Sequence, residues 1–352
     1  MTELRVQIPL RLPRSHKESI SIEEGELVGI LRHVQEQKPV DGTFPRPLAL
    51  ILHGNLAHKD QLYHRKLAAS LSIDSFRFDF RHSVQGGESR QEAGGPGWHM
   101  ANFADDVVDI HTVVRFLRRK YNYHVECIIA HSRGCMDCWT YFWDIEQRRL
   151  GTISNRADDY ILDRIPYFVA ISGRWRMELM QKRLKGFDAQ VKEKGHFDWT
   201  VKVAGKTFTV QMDPPMVASF AAYPVKEMVR GYPEQCDALL IHGDQDPTVP
   251  VEDCSLYMDQ LEHHQQPVGR KSGRPGSTQM HIVHGASHTF KGHFDELIDV
   301  ICRWLASRRE AAQRQEPNSS QAGQAFAERC LSTEACTLKP GSEASFNDHS
   351  KL

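Results

Sequence analysis

The sequence lacks any long apolar run, any excess of charge of one sign and any regular cysteine spacing, and each absence removes a class of protein. A membrane-spanning helix needs about 18 or more consecutive apolar residues, and no stretch comes near that. Lys and Arg number 44 against 45 Asp and Glu, for a net charge of −1. Nothing therefore steers the chain toward nucleic acid or an anionic bilayer. The 8 cysteines fall without a disulfide-framework spacing, which suits a reducing compartment. Residues 1–9 hold no charged region followed by an apolar stretch and a cleavage site, so synthesis into the cytosol is expected.

What is present is ordinary globular material. Of 352 residues, 40% are hydrophobic and 25% charged, enough to bury a large core. Residues 4–10 and 27–34 read as early antiparallel strands, 48–52 as a strand, 59–71 as a helix and 75–80 as a strand. Phe103, Val107, Ile110, Val114 and Leu117 recur at helical spacing, which predicts a helix over 102–119 packed on a sheet. Further strands follow at 165–172 and 238–241. Strands alternating with helices imply a mostly parallel sheet covered on both faces, the architecture of an α/β protein.

The most informative segment is Ala130-His131-Ser132-Arg133-Gly134, which follows the apolar run 125–129 and precedes a helix-forming stretch. A strand that turns sharply into a helix there would hold Ser132 in a strained conformation with its hydroxyl exposed at the strand's end, where a nucleophile belongs. The partners in such a site come later in the chain, acid first and histidine second. The strand 238–241 breaks at His242-Gly243-Asp244-Gln245-Asp246-Pro247, a loop of turn residues and carboxylates. Asp246 is the candidate acid, with Asp244 as its rival. A further strand opens onto His284-Gly285-Ala286-Ser287-His288, and His288 is the candidate base. An aspartate there would fix the imidazole tautomer and stabilise the imidazolium formed when His288 takes the serine proton. His281, His284 and His288 also invite a zinc reading, but strand alternation sets His281 and His284 on opposite faces, so neither a metal nor any other cofactor is expected.

Acyl transfer further requires donors for the developing oxyanion from a loop after an earlier strand. The strand 48–52 ends in His53-Gly54-Asn55-Leu56, and the backbone N–H groups of Asn55 and Arg133 are the expected pair, with His53 bracing the loop. Cys135-Met136-Asp137-Cys138 has the C-x-x-C spacing of a redox motif. Packing of both cysteines between helix and sheet is the alternative.

As a set, these residues resemble the α/β-hydrolase superfamily over roughly residues 25 to 308, which implies a doubly wound, mostly parallel sheet. Within it the chain is similar to the branch that includes cinnamoyl (feruloyl) esterases and serine-peptidase-like hydrolases. Carriers of the likeness are His53-Gly54, the strand and loop 76–81 with Gly86-Gly87-Glu88-Ser89, the serine segment, and the two later loops at His242 and Gly285. Three positions depart from the superfamily pattern. Ala130 replaces a glycine, Arg133 stands where a smaller or amide side chain is common, and Cys135 replaces a frequent second glycine.

The alternation breaks at 174–233, read as a cap inserted between two parts of the hydrolase core, 1–173 and 234–309. Its features are a basic amphipathic stretch over 175–192, a hairpin of 200–203 with 207–211, and short helices over 214–232. Trp175, Met177, Phe197, Trp199, Met212, Met216 and Phe220 would either line an acyl or aromatic pocket or form the cap's own core. Arg174, Arg176, Lys182, Arg183 and Lys185 would either steer an anionic substrate or form a solvated face. Beyond it, 310–352 is poor in large apolar residues and reads as an unpacked tail. It ends in Ser350-Lys351-Leu352, the peroxisomal signal, whose reader is the import receptor. The expectation is a serine hydrolase of the peroxisome matrix, acting on a small-molecule carboxylic ester or thioester through an acyl-enzyme on Ser132. Lipid metabolism and a fungal toxin or polyketide pathway stand open as settings. An acyltransferase on the same residues and a non-catalytic hydrolase-fold binding protein are the alternatives.

Overall fold

The computed structural model describes residues 2–16, 19–34, 45–82, 87–91, 100–153, 160–184, 186–203, 206–264 and 276–314. The chain opens with a long antiparallel hairpin, β1 (Thr2–His16) on β2 (Ser19–His33), in register from Thr2 opposite His33 to His16 opposite Ser19. Then come β3 (Arg46–Leu52), α1 (His64–Ser70), β4 (Asp74–Phe78), the short β5 (Arg90–Gln91), α2 (Phe103–Tyr121), β6 (Tyr123–His131), α3 (Arg133–Arg149) and β7 (Tyr167–Ile171). An insertion follows: a 3₁₀ turn (Met177–Met180), α4 (Gln181–Leu184), α5 (Asp188–Lys194), the hairpin β8 (Phe197–Val203) with β9 (Lys206–Met212), α6 (Pro214–Ala221) and α7 (Val225–Arg230). The chain returns through β10 (Asp237–Gly243), α8 (Glu252–His264), β11 (Thr278–Val283) and α9 (Phe294–Arg314).

The main sheet runs β1-β2-β4-β3-β6-β7-β10-β11, with β5 beside β2. From β4 to β11 every pairing is parallel, and the first hairpin joins antiparallel. The side-chain pattern follows from this. On the outer strand β1, Val6, Ile8 and Leu10 are buried while Gln7 and Pro9 are exposed, the period of two of a strand covered on one face. In the middle strand β6 every residue is buried, as expected of a parallel strand with helices on both sides. Leu48, Leu50 and Leu52 of β3 pack with Ile128, Phe168 and the apolar face of α2 and α3. Ala49 and Ile51 point the other way, to Leu67 of α1 and to Leu297, Ile301 and Trp304 of α9.

Several elements differ from their sequence reading. The helix expected over 59–71 begins only at His64, because Leu62 (φ 54°) lies in the left-handed region that interrupts a right-handed helix. The last helix runs on to Arg314, five residues into the stretch read as unpacked, which its helix-forming Glu310-Ala311-Ala312-Gln313-Arg314 allows. The remainder of that stretch lies outside the described residues. In the insertion the stretch 175–192 is no single helix but a 3₁₀ turn and two short helices. The redox reading of Cys135 and Cys138 does not stand. Both thiols are fully buried, and burial pushes both up, the reverse of what thiolate chemistry needs.

The insertion lies against α2, on the side of the sheet where Ser132 stands. Phe103 at the start of α2 meets Tyr223 at a tilt of 35° with ring centroids 3.9 Å apart, and Phe220 of α6 at 5.6 Å. Its entrance is fixed by buried Asp253 of α8, whose Oδ2 accepts the backbone N–H groups of Trp175 at 2.9 Å and Arg176 at 3.2 Å, and whose Oδ1 accepts Arg176 Nε at 2.5 Å.

Candidate active site

Between β6 and α3 the chain reverses at Ser132, whose φ of 54° and ψ of −117° place a non-glycine residue in a sparsely populated region. Hydrogen bonds hold it there: Ser132 N donates to Ile171 O at 2.8 Å, and Cys135 N donates to Ser132 O at 2.9 Å. The turn also needs an absent side chain at Gly134, where a Cβ would stand 2.8 Å from the backbone oxygen of His53. The first small position of the motif is less demanding, and Ala130 fits there fully buried. Ser132 makes no side-chain cap on α3, which leaves its hydroxyl for other partners.

That partner is His288. Its Nε2 lies 3.0 Å from Ser132 Oγ, and its Nδ1 lies 2.7 Å from Asp246 Oδ2. A carboxylate only accepts, so Nδ1 carries the proton and Nε2 is left to accept from the serine hydroxyl. Asp246 is buried and over-determined. Its Oδ1 accepts the N–H groups of Thr248 at 2.7 Å and Val249 at 2.9 Å. Its Oδ2 also meets His242 Nε2 at 3.3 Å, a nitrogen that donates to Val249 O at 3.0 Å. Burial alone would raise this carboxyl. The bonds from His242, His288 and Val249 N–H outweigh burial and hold it well below the usual carboxylate range.

Asp244, the rival acid, is occupied elsewhere. Its Oδ2 faces His284 Nδ1 at 3.0 Å and its Oδ1 accepts Gly285 N at 2.7 Å, both at the exposed rim. Two supporting histidines were not legible as such. His242, four residues before the acid, braces Asp246 as described. His131, directly before Ser132, donates from Nε2 to the backbone oxygen of His288 at 2.9 Å, with the two rings 5.0 Å apart. Burial, and then the proximity of His288, push the His131 imidazole down to about 3, so it is neutral, and its Nδ1 finds no partner among the described residues.

Gly54 brings the loop after β3 against the elbow, where a Cβ would sit 3.1 Å from that of Ser132. Asn55 and Arg133 line the same cavity as Ser132. Arg133 is the first residue of α3, so its N–H belongs to those a helix leaves unsatisfied at its positive end. His53 braces the loop, with Nδ1 donating to Gly54 O at 2.8 Å and Nε2 accepting Phe80 N at 3.2 Å. The Arg133 side chain, unusual at its position, turns inward under the Phe103 ring. There Nε and Nη2 donate to Asp106 Oδ2 at 2.9 and 2.6 Å, and Nη1 donates to Met100 O.

The cavity over Ser132 measures about 430 Å³. Of the seven aromatic and methionine residues singled out in the insertion, Trp199 and Phe220 reach its wall. Trp175, Met177, Phe197 and Met212 are buried in the core away from the cavity, Trp175 edge-on to Tyr257 of α8 and Phe197 stacked on Phe187, with Met216 partly buried against them. Met100, Met136 and Met180 also stand in the wall, beside Leu56, Leu62 and Val249, and no periodicity singled them out. Among the basic residues, Arg174 is buried at the cavity wall, Arg176 pairs with Asp253 and Glu252, Lys182 is exposed and Lys185 lies outside the described residues.

No protein-family model matches the sequence, and no curated protein matches it either. Solved structures do. The esterase Est1E of Butyrivibrio proteoclasticus, with ferulic acid bound, superposes with a TM-score of 0.53 at 14% identity, covering 80% of this chain and 95% of its own. A Pyrococcus furiosus esterase gives a TM-score of 0.50 at 14% identity, covering 85% of this chain and 91% of its own. With the strand order and the strand–turn–helix at Ser132, these likenesses establish that the chain has the α/β-hydrolase fold.

Proposed function

We propose that the protein is a serine hydrolase that cleaves a carboxylic ester or thioester through an acyl-enzyme. One observation carries the reading: the hydrogen-bonded chain from Ser132 Oγ through His288 to Asp246, at 3.0 and 2.7 Å, opening onto a largely apolar cavity. His288 Nε2 takes the hydroxyl proton as Oγ attacks the acyl carbon, and the carbonyl π electrons move onto oxygen. The oxyanion is received by the N–H groups of Asn55 and Arg133. On collapse the bond from the acyl carbon to the leaving oxygen or sulfur breaks, and the leaving group takes the proton from His288. Water then repeats the sequence and frees the acid. Asp246, held as a carboxylate, stabilises the imidazolium in both halves. The naming of both structural neighbours as esterases supports an ester as substrate.

The test is labelling by a fluorophosphonate probe, followed by a turnover screen of p-nitrophenyl esters, cinnamate esters and acyl-CoAs. Wild-type labelling that disappears in Ser132→Ala is expected, and labelling retained in that variant would reassign the nucleophile. Delivery to the peroxisome matrix by the import receptor is proposed on Ser350-Lys351-Leu352 alone and needs that tripeptide to be the free end of the chain. A fluorescent fusion lacking the three residues should turn from punctate to diffuse. Persisting puncta would remove the compartment from any choice between lipid and secondary-metabolite substrates.

A further inference from the structure

Beside the turn at Ser132, α2 and α3 bury an unbalanced set of charges. The guanidiniums of Arg81 and Arg133 are buried, and so are three carboxyls, Asp106, Asp109 and Asp137. Asp109 belongs to Arg81, accepting its Nε at 2.7 Å and its backbone N–H at 2.9 Å. Asp106 belongs to Arg133, accepting Nε and Nη2 at 2.9 and 2.6 Å. Asp137, 0% exposed, is the carboxyl left over. Neither of its oxygens receives a hydrogen bond from a described residue, and Arg133 Nε stands 4.0 Å from its Oδ2. The group within its hydrogen-bonding reach is the Asp106 carboxyl.

A buried carboxylate with neither a donor nor a cation of its own is strongly unfavourable, and such a group takes up a proton instead. Two ionised carboxylates also cannot bond to each other, because each only accepts. A single proton on Asp137 resolves both, since Asp106 is already held by the Arg133 fork. Burial first, and then the proximity of Asp106, push the Asp137 carboxyl well above the usual carboxylate range. Asp109, raised by burial to about 6 against the pull of Arg81, is the rival site for the proton. The remaining titratable groups near Asp137 are Cys135 and Cys138 of its own helix and Tyr223 of the insertion, all pushed up by burial and neutral. We infer that Asp137 is a positioning residue: as a neutral carboxylic acid it donates to Asp106 and so fixes the carboxylate that orients Arg133. Arg133 supplies an oxyanion N–H in the reading above, and its Nη1 holds Met100 O. Its guanidinium lies over the Phe103 ring, which meets Phe220, and both Met100 and Phe220 stand in the cavity wall. The effect on turnover rests on the ester-hydrolase reading, and the site of the proton does not.

The experiment is infrared difference spectroscopy of the full chain at about pH 8, where ordinary carboxyls are ionised. Wild type minus Asp137→Asn should show the C=O stretch of one protonated carboxylic acid, and wild type minus Asp109→Asn should not. Turnover of p-nitrophenyl esters gives the second readout. Asp137→Ala, which removes the donor, should lower kcat by about tenfold, the worth of one buried hydrogen bond, with little change in KM. Asp137→Asn, whose amide donates and cannot ionise, should recover most of that loss. Urea unfolding gives the third. Wild type keeps a proton that the unfolded chain releases above about pH 4, so its stability falls as pH rises toward the raised folded value. Between about pH 5 and pH 8 the difference in midpoint should therefore move in favour of Asp137→Asn. A carboxylic-acid band that is absent from wild type or persists in Asp137→Asn, or an Asp137→Ala variant as active as Asp137→Asn, overturns the inference. If Asp137→Ala does not fold, the band and the urea midpoints decide. No ester turnover together with no fluorophosphonate labelling would instead defeat the ester-hydrolase reading, with the band still deciding where the proton sits.

Discussion

The loops after β10 and β11 present two aspartate–histidine pairs built from the same residue types a few positions apart. Asp246 with His288 and Asp244 with His284 have similar separations, 2.7 and 3.0 Å. They differ in what lies around them. The inner pair is largely buried, its carboxylate fully so; that carboxylate receives two backbone N–H groups and His242, and the imidazole reaches a serine held at the head of a helix. The outer pair stands at the rim, with His284 88% exposed, and ends at Gly285 N. Contact distance alone thus says little about chemistry; burial and a third partner decide whether such a pair can move a proton productively.

The largest effect should come from removing that third partner. Ser132→Ala should cut kcat by on the order of a millionfold and abolish probe labelling. Asp246→Asn comes next: with the wrong tautomer favoured at His288, kcat should fall by about ten-thousandfold. A third substitution asks whether the inner pair depends on being held from behind. His131→Phe, which removes the donor to the His288 backbone oxygen, should lower kcat by about tenfold to a hundredfold with little change in KM. His131→Gln should recover most of the loss, and equal damage in both variants would mean that the hydrogen bond is not what positions the loop.

Stability offers a fourth measurement. The Asp246 carboxyl is depressed in the folded protein, so its contribution is fully present above the unfolded value near 4 and is lost as pH falls toward the folded value. Wild type should exceed Asp246→Asn in urea unfolding by about 2 kcal/mol at pH 7, and the gap should narrow below about pH 4. A gap unchanged at pH 3 would contradict the assigned charge state. The smallest effect belongs to the outer pair, where Asp244→Asn should change kcat/KM by less than about threefold. If that variant proves the more damaging of the two aspartate changes, the comparison is inverted.

Much of the site could be read along the chain because its parts sit at strand ends, and strand ends announce themselves by turn residues. Ser132, Asp246, His288, Asn55 and Arg133 each follow an apolar run; in the structure Asn55, Ser132, Arg133 and His288 line one cavity and Asp246 is bonded behind His288. The bracing roles of His131 and His242 could not be read that way. Both bond to groups that local pattern does not locate, a backbone oxygen 157 positions away for His131 and a looped-back carboxylate for His242. Within the insertion, methionines and aromatics look alike in sequence whether they face a cavity or each other, and only packing separates Trp199 and Phe220 from Met177 and Phe197.

By itself the sequence determined which residue types stand at the ends of which strands, because hydrophobic period and turn chemistry are local properties. It determined also that the sheet is mostly parallel and doubly covered, because apolar strand runs alternate with helical periods along the chain. Tertiary structure alone decided which aspartate is buried, that Arg133 turns inward to Asp106, and that Arg174 stands at the cavity wall instead of on a solvated face. These depend on the distance between segments far apart in the chain, and on how completely water is excluded where they meet, two quantities that no local pattern encodes.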